Sequence, residues 1–493
     1  MKSTTAHLET FVPVPGRWIA MIILLVAQFM NLMDVTIVNV ALPSLQTAFS
    51  ATSSQIEWVV AGYILCFALL LLPAGRLGDI VGRRRMFLLG VGLFTLGSAL
   101  CGLSPSINTL IAARVFQAVG AAMMTPQTLA IIPIIFAPKE RGAAFALTGL
   151  TAGLAAVAGP VLGGWLIEAD IYGLGWRPIF LVNIPIGLIA IVVGLRYLPK
   201  VKGAAGIGLD YVGTVLAGAA LFLIIYPMIE GRQLAWPTWC FAMMAAALPM
   251  AGIFALWLRR QAASGGAQVI PASLFGNRSF VIGTVLAALL FSGIPGFFLV
   301  LALYLQTGYQ LSPLHSGMTT LAFSVGVLLA SIISGKLAGR WLRPRITVGA
   351  LMLAAAMVWV RYVVQNTGAE VVRLDFAPAL LMGGVGLGTS ISPMFQTILA
   401  SVTGRDTGAA SGGLQAFQQM GSAIGVAVMG EMFFSTLAPA LAAGGDPHLA
   451  FASAFTFAVL YNVGSFSVIA ALVWLLPAPS GQASVRPAPP VET

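Results

Sequence analysis

Apolar positions in this chain come in runs of about twenty residues, the length a helix needs to cross a bilayer. Residues 18–30, WIAMIILLVAQFM, contain one polar side chain, Gln28. The alternation of a strand is absent, which sets the chain apart from a membrane barrel with its short alternating segments. The pattern predicts fourteen spanning helices: 18–40, 57–75, 86–104, 107–130, 143–168, 177–198, 209–229, 237–258, 279–303, 315–338, 346–362, 376–400, 409–435 and 449–476. The fold class expected is therefore an all-α integral membrane protein. An even number of crossings places both termini on one side. The polar start, MKSTTAHLETFVPVPGR, leads into a full span without a small-residue cleavage site, so no cleaved signal peptide is expected.

Composition agrees, and charge adds an orientation. The 493 residues are 59% apolar and 8% charged, against roughly 25% charged in a soluble domain. A net charge of +10 would suit a nucleic-acid binder, but its distribution points elsewhere. Of 25 Lys and Arg, twenty fall in segments on the side of the termini, four on the opposite side (Arg177, Arg232, Arg361, Arg373), and Arg114 lies inside a helix. Short Lys/Arg-rich loops remain cytoplasmic, so both termini are expected inside the cell and no nucleic-acid partner is expected. Contact with anionic membrane lipid is a secondary consequence. The three cysteines, Cys66, Cys101 and Cys240, lie in apolar runs without metal or redox spacing.

Residues 75–85, GRLGDIVGRRR, return in weaker form at 335–345, GKLAGRWLRPR. Each copy follows the second helix of a six-helix half. Two halves of six leave two helices over, and 201–260 is the natural insert. The organisation expected is a cytoplasmic N-terminus 1–17, a first bundle 18–200, the insert 201–260, a linker 261–278, a second bundle 279–476 and a cytoplasmic tail 477–493. Parallel six-helix repeats meeting around a midplane site are a transporter architecture.

The residues inside the helices carry the candidate chemistry. Asp34 sits in NLMDVTIVNVALP, directly after the apolar run. An ionised carboxylate at membrane depth is costly and usually functional. It either carries a proton or is locked by Thr36, Asn31 or Asn39. Arg114 falls at a matching depth in the fourth helix, so the two could pair, either permanently or in a charge-dependent way. Glu431 lies near the outer surface, where a solvated carboxylate and a second proton or cation site are both open. Polar residues within spans are candidates for a substrate cavity: Gln28, Tyr63, Gln117, Gln127, Asn183, Gln306, Gln396, Gln415, Gln418 and Gln419.

Five motifs in order carry a family resemblance. GRLGDIVGRRR resembles the loop signature of the major facilitator superfamily, LIAARVFQAVGAA (110–122) its helix 4 signature with Arg114 in the basic position, and GLTAGLAAVAGPVLGG (149–164) its helix 5 antiporter signature. MDVTIVNVALP (33–43) and WRPIFLVNIPIG (176–187) resemble helices 1 and 6 of the fourteen-helix drug:proton antiporters of the EmrB/QacA type. Three departures stand out: Ala118 replaces a usual glycine, Ala61 replaces a carboxylate of some cation exporters, and Gly339 stands where the first loop has Asp79.

The resemblance implies the major facilitator fold, two six-helix bundles plus two inserted helices, and proton-driven export of amphiphilic drugs or toxic compounds by alternating access. Transport of one endogenous metabolite is the alternative, and a non-transporting sensor or scaffold a third. Asp34, Arg114 and Glu431 become proton-coupling candidates. Gly75, Asp79, Gly82, Arg83, Arg84 and Arg85 become a latch between the halves. Gly149, Gly153, Gly159, Pro160, Gly163 and Gly164 become the close-packing antiporter helix, its bend permitted by the proline. No phosphate-binding GxxxxGK[ST] signature occurs, so the proton gradient is the expected energy source and no enzyme activity, cofactor or metal is expected. The expected setting is a bacterial cytoplasmic (inner) membrane and a monomer. A periplasmic adaptor protein is the expected partner where a second membrane must be crossed.

Overall fold

The structure is a computed structural model. It describes residues 15–477 apart from 138–139, 201–202, 204–207, 232–233, 235, 338–340, 369–371, 403–405 and 445. Nearly all of the two tails expected to be cytoplasmic, and Gly339 of the second loop, therefore lie outside the described residues.

Fourteen helices among the described residues are long and apolar enough to cross a membrane. The first six are α1 (Arg17–Phe49), α2 (Ser53–Val81), α3 (Arg83–Gly102), α4 (Ile107–Ile135), α5 (Arg141–Glu168) and α6 (Pro178–Tyr197). Then come α7 (Tyr211–Glu230) and α8 (Thr238–Ser264). The last six are α9 (Arg278–Ala302), α10 (Pro313–Lys336), α11 (Leu342–Asn366), α12 (Arg373–Ala400), α13 (Thr407–Ala442) and α14 (Pro447–Leu472). All fourteen expected spans have a counterpart. Many of them, α1, α2 and α13 most of all, run longer than hydropathy suggests, because the helix continues past the apolar run. Thus α2 begins in a capping box, Thr52 Oγ1 accepting from Gln55 N, several residues before its apolar stretch.

Packing divides the helices. Within the first six, α3 lies on α4, α2 on α4 and α1 on α5; within the last six, α10 and α11 lie on α12 and α9 on α13. The halves meet along two seams, α2 against α13 and α5 against α10 and α12. The inserted α7 packs beside the first seam, touching both α2 and α13, while α8 rests chiefly on α7. Most side chains of α8 are exposed in the isolated chain, as expected of a helix that faces lipid. Asp210 fastens this hairpin: its Oδ1 caps α7 through Gly213 N at 2.7 Å and accepts from Trp257 Nε1 of α8 at 3.0 Å.

Hydrogen bonds between the bundles are confined, among the described residues, to the region from mid-membrane to the basic face that carries the chain ends. On the second seam Ser324, Ser331 and Ser392 donate to the carbonyls of Gly153, Ala146 and Gly142 of α5 at 2.9, 3.2 and 2.9 Å. On the first seam the contacts come from the last turns of α2, through Arg76 and Asp79.

Candidate functional site

Five helices of the first bundle converge on Asp34, each with residues three or four apart. That spacing puts two side chains on one helix face. The contributors are Asn31 and Asp34 of α1, Val59 and Tyr63 of α2, Ser98 and Cys101 of α3, Arg114 and Gln117 of α4, and Phe180 and Asn183 of α6. Asp34 is 0% and Arg114 1% exposed. Arg114 Nη1 donates to Asp34 Oδ2 in a close ion pair. The other oxygen, Oδ1, accepts from Gln117 Nε2 at 2.9 Å and Asn183 Nδ2 at 3.0 Å.

Arg114 is held on its own account. Its Nε donates to the Val59 carbonyl at 3.2 Å and its Nη1 to Gln117 Oε1 at 2.6 Å. The guanidinium stacks over the Tyr63 ring at 4.1 Å, a contact that strengthens away from water. Tyr63 OH in turn donates to Asn31 Oδ1. Ser98 Oγ accepts from Gln117 Nε2 at 2.8 Å and donates to Phe94 O at 2.9 Å. The result is a buried charge pair with every oxygen of the carboxylate in use. Removing one partner of such a pair costs about 3–5 kcal/mol, whereas the intact pair is worth little net.

This geometry corrects part of the cavity expectation. Tyr63, Gln117 and Asn183, expected to face substrate, are fully buried around the ion pair. Thr36 and Asn39 hold no bond to Asp34 among the described residues; Thr36 Oγ1 donates instead to the carbonyls of Met33 and Ala155 at 3.0 and 3.2 Å. Gln127 is a packing residue, its Nε2 donating to Ala74 O at 3.0 Å where Gly78 leaves room for it. Gln306 and Gln396 bond within their own bundle, to Ser316 and Ser392 at 3.3 and 3.1 Å. Gln415 and Gln419 are half-buried, and Gln418 is buried with its Nε2 unpartnered. Glu431 stands apart from the cluster, exposed, with its Oε2 accepting from Trp236 Nε1 at 2.7 Å. Ser98 escaped the sequence reading. Its hydroxyl is indistinguishable, in a run such as GSALCG, from the many serines that bond their own helix.

The residues of the GRLGDIVGRRR motif, which form the end of α2 and the start of α3, separate into two groups. Asp79 Oδ1 and Oδ2 accept from the backbone N–H groups of Gly408 and Ala409, the first turn of α13, at 3.0 and 2.9 Å. Arg83 Nη2 donates to the same carboxylate at 3.0 Å and its Nη1 to Ala130 O at 3.3 Å. Arg76 reaches Asp406 at 3.3 Å. A carboxylate on a helix N-terminus is favoured by the exposed N–H groups and the helix dipole. Gly75 lets the backbones approach: a Cβ there would lie 2.4 Å from Gly408 O and 3.0 Å from Gly412 Cα. Gly82, at φ +103°, makes the turn from α2 to α3. Arg84 instead donates to Leu195 O of the same bundle, and Arg85 is exposed. Neither bonds to the second bundle among the described residues.

The glycines of α5 also divide. Gly159 and Gly163 lie on α1, where a Cβ would meet Thr36 Oγ1 at 1.9 Å and Ile37 Cγ1 at 2.7 Å. Gly149 and Gly153 face the second bundle, at Ile391 and Ser324. A Cβ at Gly164 would meet nothing within 4 Å beyond its own turn of helix, so its place on a close-packed face is not realised here. Pro160 sits within an unbroken α5.

Comparison with known proteins follows the same lines. The sequence signature described as Major Facilitator Superfamily matches residues 24–210. A Streptomyces coelicolor protein named "Probable actinorhodin transporter" is 38% identical over 426 residues, covering 86% of this chain and 74% of that one. The puromycin resistance protein pur8 of Streptomyces alboniger is 33% identical over 493 residues, 97% of this chain and 96% of its own. Among solved structures, the human organic anion transporter MFSD10 (TETRAN) superposes with a TM-score of 0.63 at 16% identity, over 93% of this chain and all of its own, a likeness of fold alone.

Proposed function

The chain belongs to the major facilitator superfamily, and from that premise we propose that it is a proton-coupled exporter of small amphiphilic compounds, working by alternating access. The observation that carries this reading is the Asp34–Arg114 pair, buried and shared among five helices of one bundle. Asp34 is the proton carrier. Ionised, it binds Arg114, Gln117 and Asn183 and holds those helices together. Protonated, it releases the guanidinium, which keeps Val59 O, Gln117 Oε1 and the Tyr63 ring. The change in how tightly the helices are tied is the link between proton and conformation. The pair at Asp79 is the latch that closes the basic face, and Glu431 serves the contact with the insert rather than proton transfer.

The substrate class follows from the relatives. One relative is named for transport of actinorhodin and another for resistance to puromycin, two different compounds. Transport of one endogenous metabolite is the second reading, favoured by relatives that each carry the name of a single compound.

Purified protein in liposomes with a pH-sensitive dye inside tests the proposal. Substrate-dependent proton flux is expected, with puromycin as the first probe and ethidium as the second. Asp34→Asn should abolish the flux while leaving the protein folded and inserted. Undiminished flux in that variant would remove Asp34 from the coupling path.

A further inference from the structure

Every group that faces the Asp34 carboxylate in this state is a donor. Arg114 has no acceptor atom. Gln117 is saturated: its Oε1 accepts from Arg114 Nη1 and from Cys101 Sγ at 3.7 Å, and its Nε2 serves Asp34 and Ser98. Ser98 Oγ gives its hydrogen to Phe94 O and has both acceptor sites filled, by Gln117 Nε2 and Asn183 Nδ2, and the Tyr63 hydroxyl bonds to Asn31 and not to the carboxylate. Such a ring suits an ionised carboxylate. It offers nothing to the O–H of a protonated one, which requires an acceptor.

One acceptor remains. Asn183 Nδ2 donates to Asp34 Oδ1 at 3.0 Å and to Ser98 Oγ at 3.3 Å, while Asn183 Oδ1 is buried without any hydrogen-bond partner. We infer that Asn183 is the positioning residue of proton uptake, its side-chain amide turning half a revolution so that Oδ1 accepts from the protonated carboxyl of Asp34. The two ends of a carboxamide are nearly equal in size, so the turn needs no repacking. The proton stays covalently on Asp34 and no bond to Asn183 is made beyond the hydrogen bond. One end of the amide is unpartnered in both states, which keeps the two close in energy, as a reversible carrier requires. The titratable groups facing Asp34 are Arg114 from α4, Tyr63 from α2 and Cys101 from α3; α6 contributes none among the described residues.

This inference rests on Asp34 being the proton carrier, and infrared difference spectroscopy separates the two claims. The full-length protein in lipid is titrated from alkaline to acid pH. A carboxyl C=O band that grows on acidification and is missing in Asp34→Asn is expected. In the wild type, a side-chain amide C=O band should move to lower wavenumber at the same pH, as an unpartnered oxygen gains a partner, and this movement should vanish in Asp34→Asn. In Asn183→Val the carboxyl band should move to higher wavenumber, as a carboxyl O–H without an acceptor. Asn183→Thr keeps an acceptor and should restore the wild-type position. Absence of any Asp34 carboxyl band overturns the proton-carrier reading and this inference with it. A carboxyl band accompanied by no amide shift in the wild type, or unmoved in folded Asn183→Val, overturns the inference alone.

Discussion

The Asp34 cluster makes opposite demands on its two charges. Arg114→Ala leaves a carboxylate at membrane depth with two amide donors and no counter-charge. Asp34→Asn leaves Arg114 with a carbonyl, an amide oxygen and an aromatic face. Arg114→Ala is therefore expected to lower stability by about 3–5 kcal/mol and Asp34→Asn by less. The double variant Asp34→Asn, Arg114→Ala should lie well above the sum of the singles, because no charge is left unpaired. Thermal unfolding of the four proteins in detergent checks the order; additive losses would mean that the pair does not act as a unit. Asp34 and Arg114 were legible in the sequence because a charge inside an apolar run is conspicuous. Gln117 and Asn183 were visible as polar residues but not as partners, since helix order says nothing about which faces meet.

At the scale of the helix, the glycines of α5 illustrate what spacing can and cannot tell. The run GLTAGLAAVAGPVLGG signals close packing, and the structure places that packing on two different neighbours. Gly159→Ala would put a methyl group against Thr36 and the backbone of Ile37. Because backbone cannot turn aside, an overpacking cost of about 1–3 kcal/mol is expected, with loss of transport. Gly164→Ala adds a methyl group to open space and should be silent in both assays. Equal effects at the two positions would refute the assignment of separate faces. The helix count itself was fully legible, because backbone satisfaction in lipid admits only complete helices and each leaves an apolar run. The α2–α13 seam was not. Gly75 announces a near approach without naming Gly408 and Gly412 as the backbone it approaches, and these lie more than 300 residues away.

For the whole molecule, the two seams are unequal at the basic face. One is fastened by serines donating to carbonyls of α5, which are neutral bonds. The other is fastened by the Asp79 carboxylate on two N–H groups of α13, supported by Arg83 and by the Arg76–Asp406 pair. Hydrogen bonds to a charged group contribute about 1.5–3 kcal/mol, and 1.4 kcal/mol shifts an equilibrium tenfold. If the bundles rock against one another, the α2–α13 contact is the one whose loss most changes the population of the closed face. Asp79→Asn retains the shape but removes the charge and puts an N–H₂ where one oxygen stood, so at most one of the two N–H groups of α13 stays paired. The closed population should fall by about tenfold or more relative to the open one. Spin labels at Arg85 and Trp341, both exposed and on opposite bundles, report it once the native cysteines Cys66, Cys101 and Cys240 are replaced. A longer distance should gain weight in Asp79→Asn, and Ser331→Ala on the neutral seam should move it far less. An unchanged distance distribution in Asp79→Asn would show that apolar packing, and not this charged contact, keeps the basic face shut.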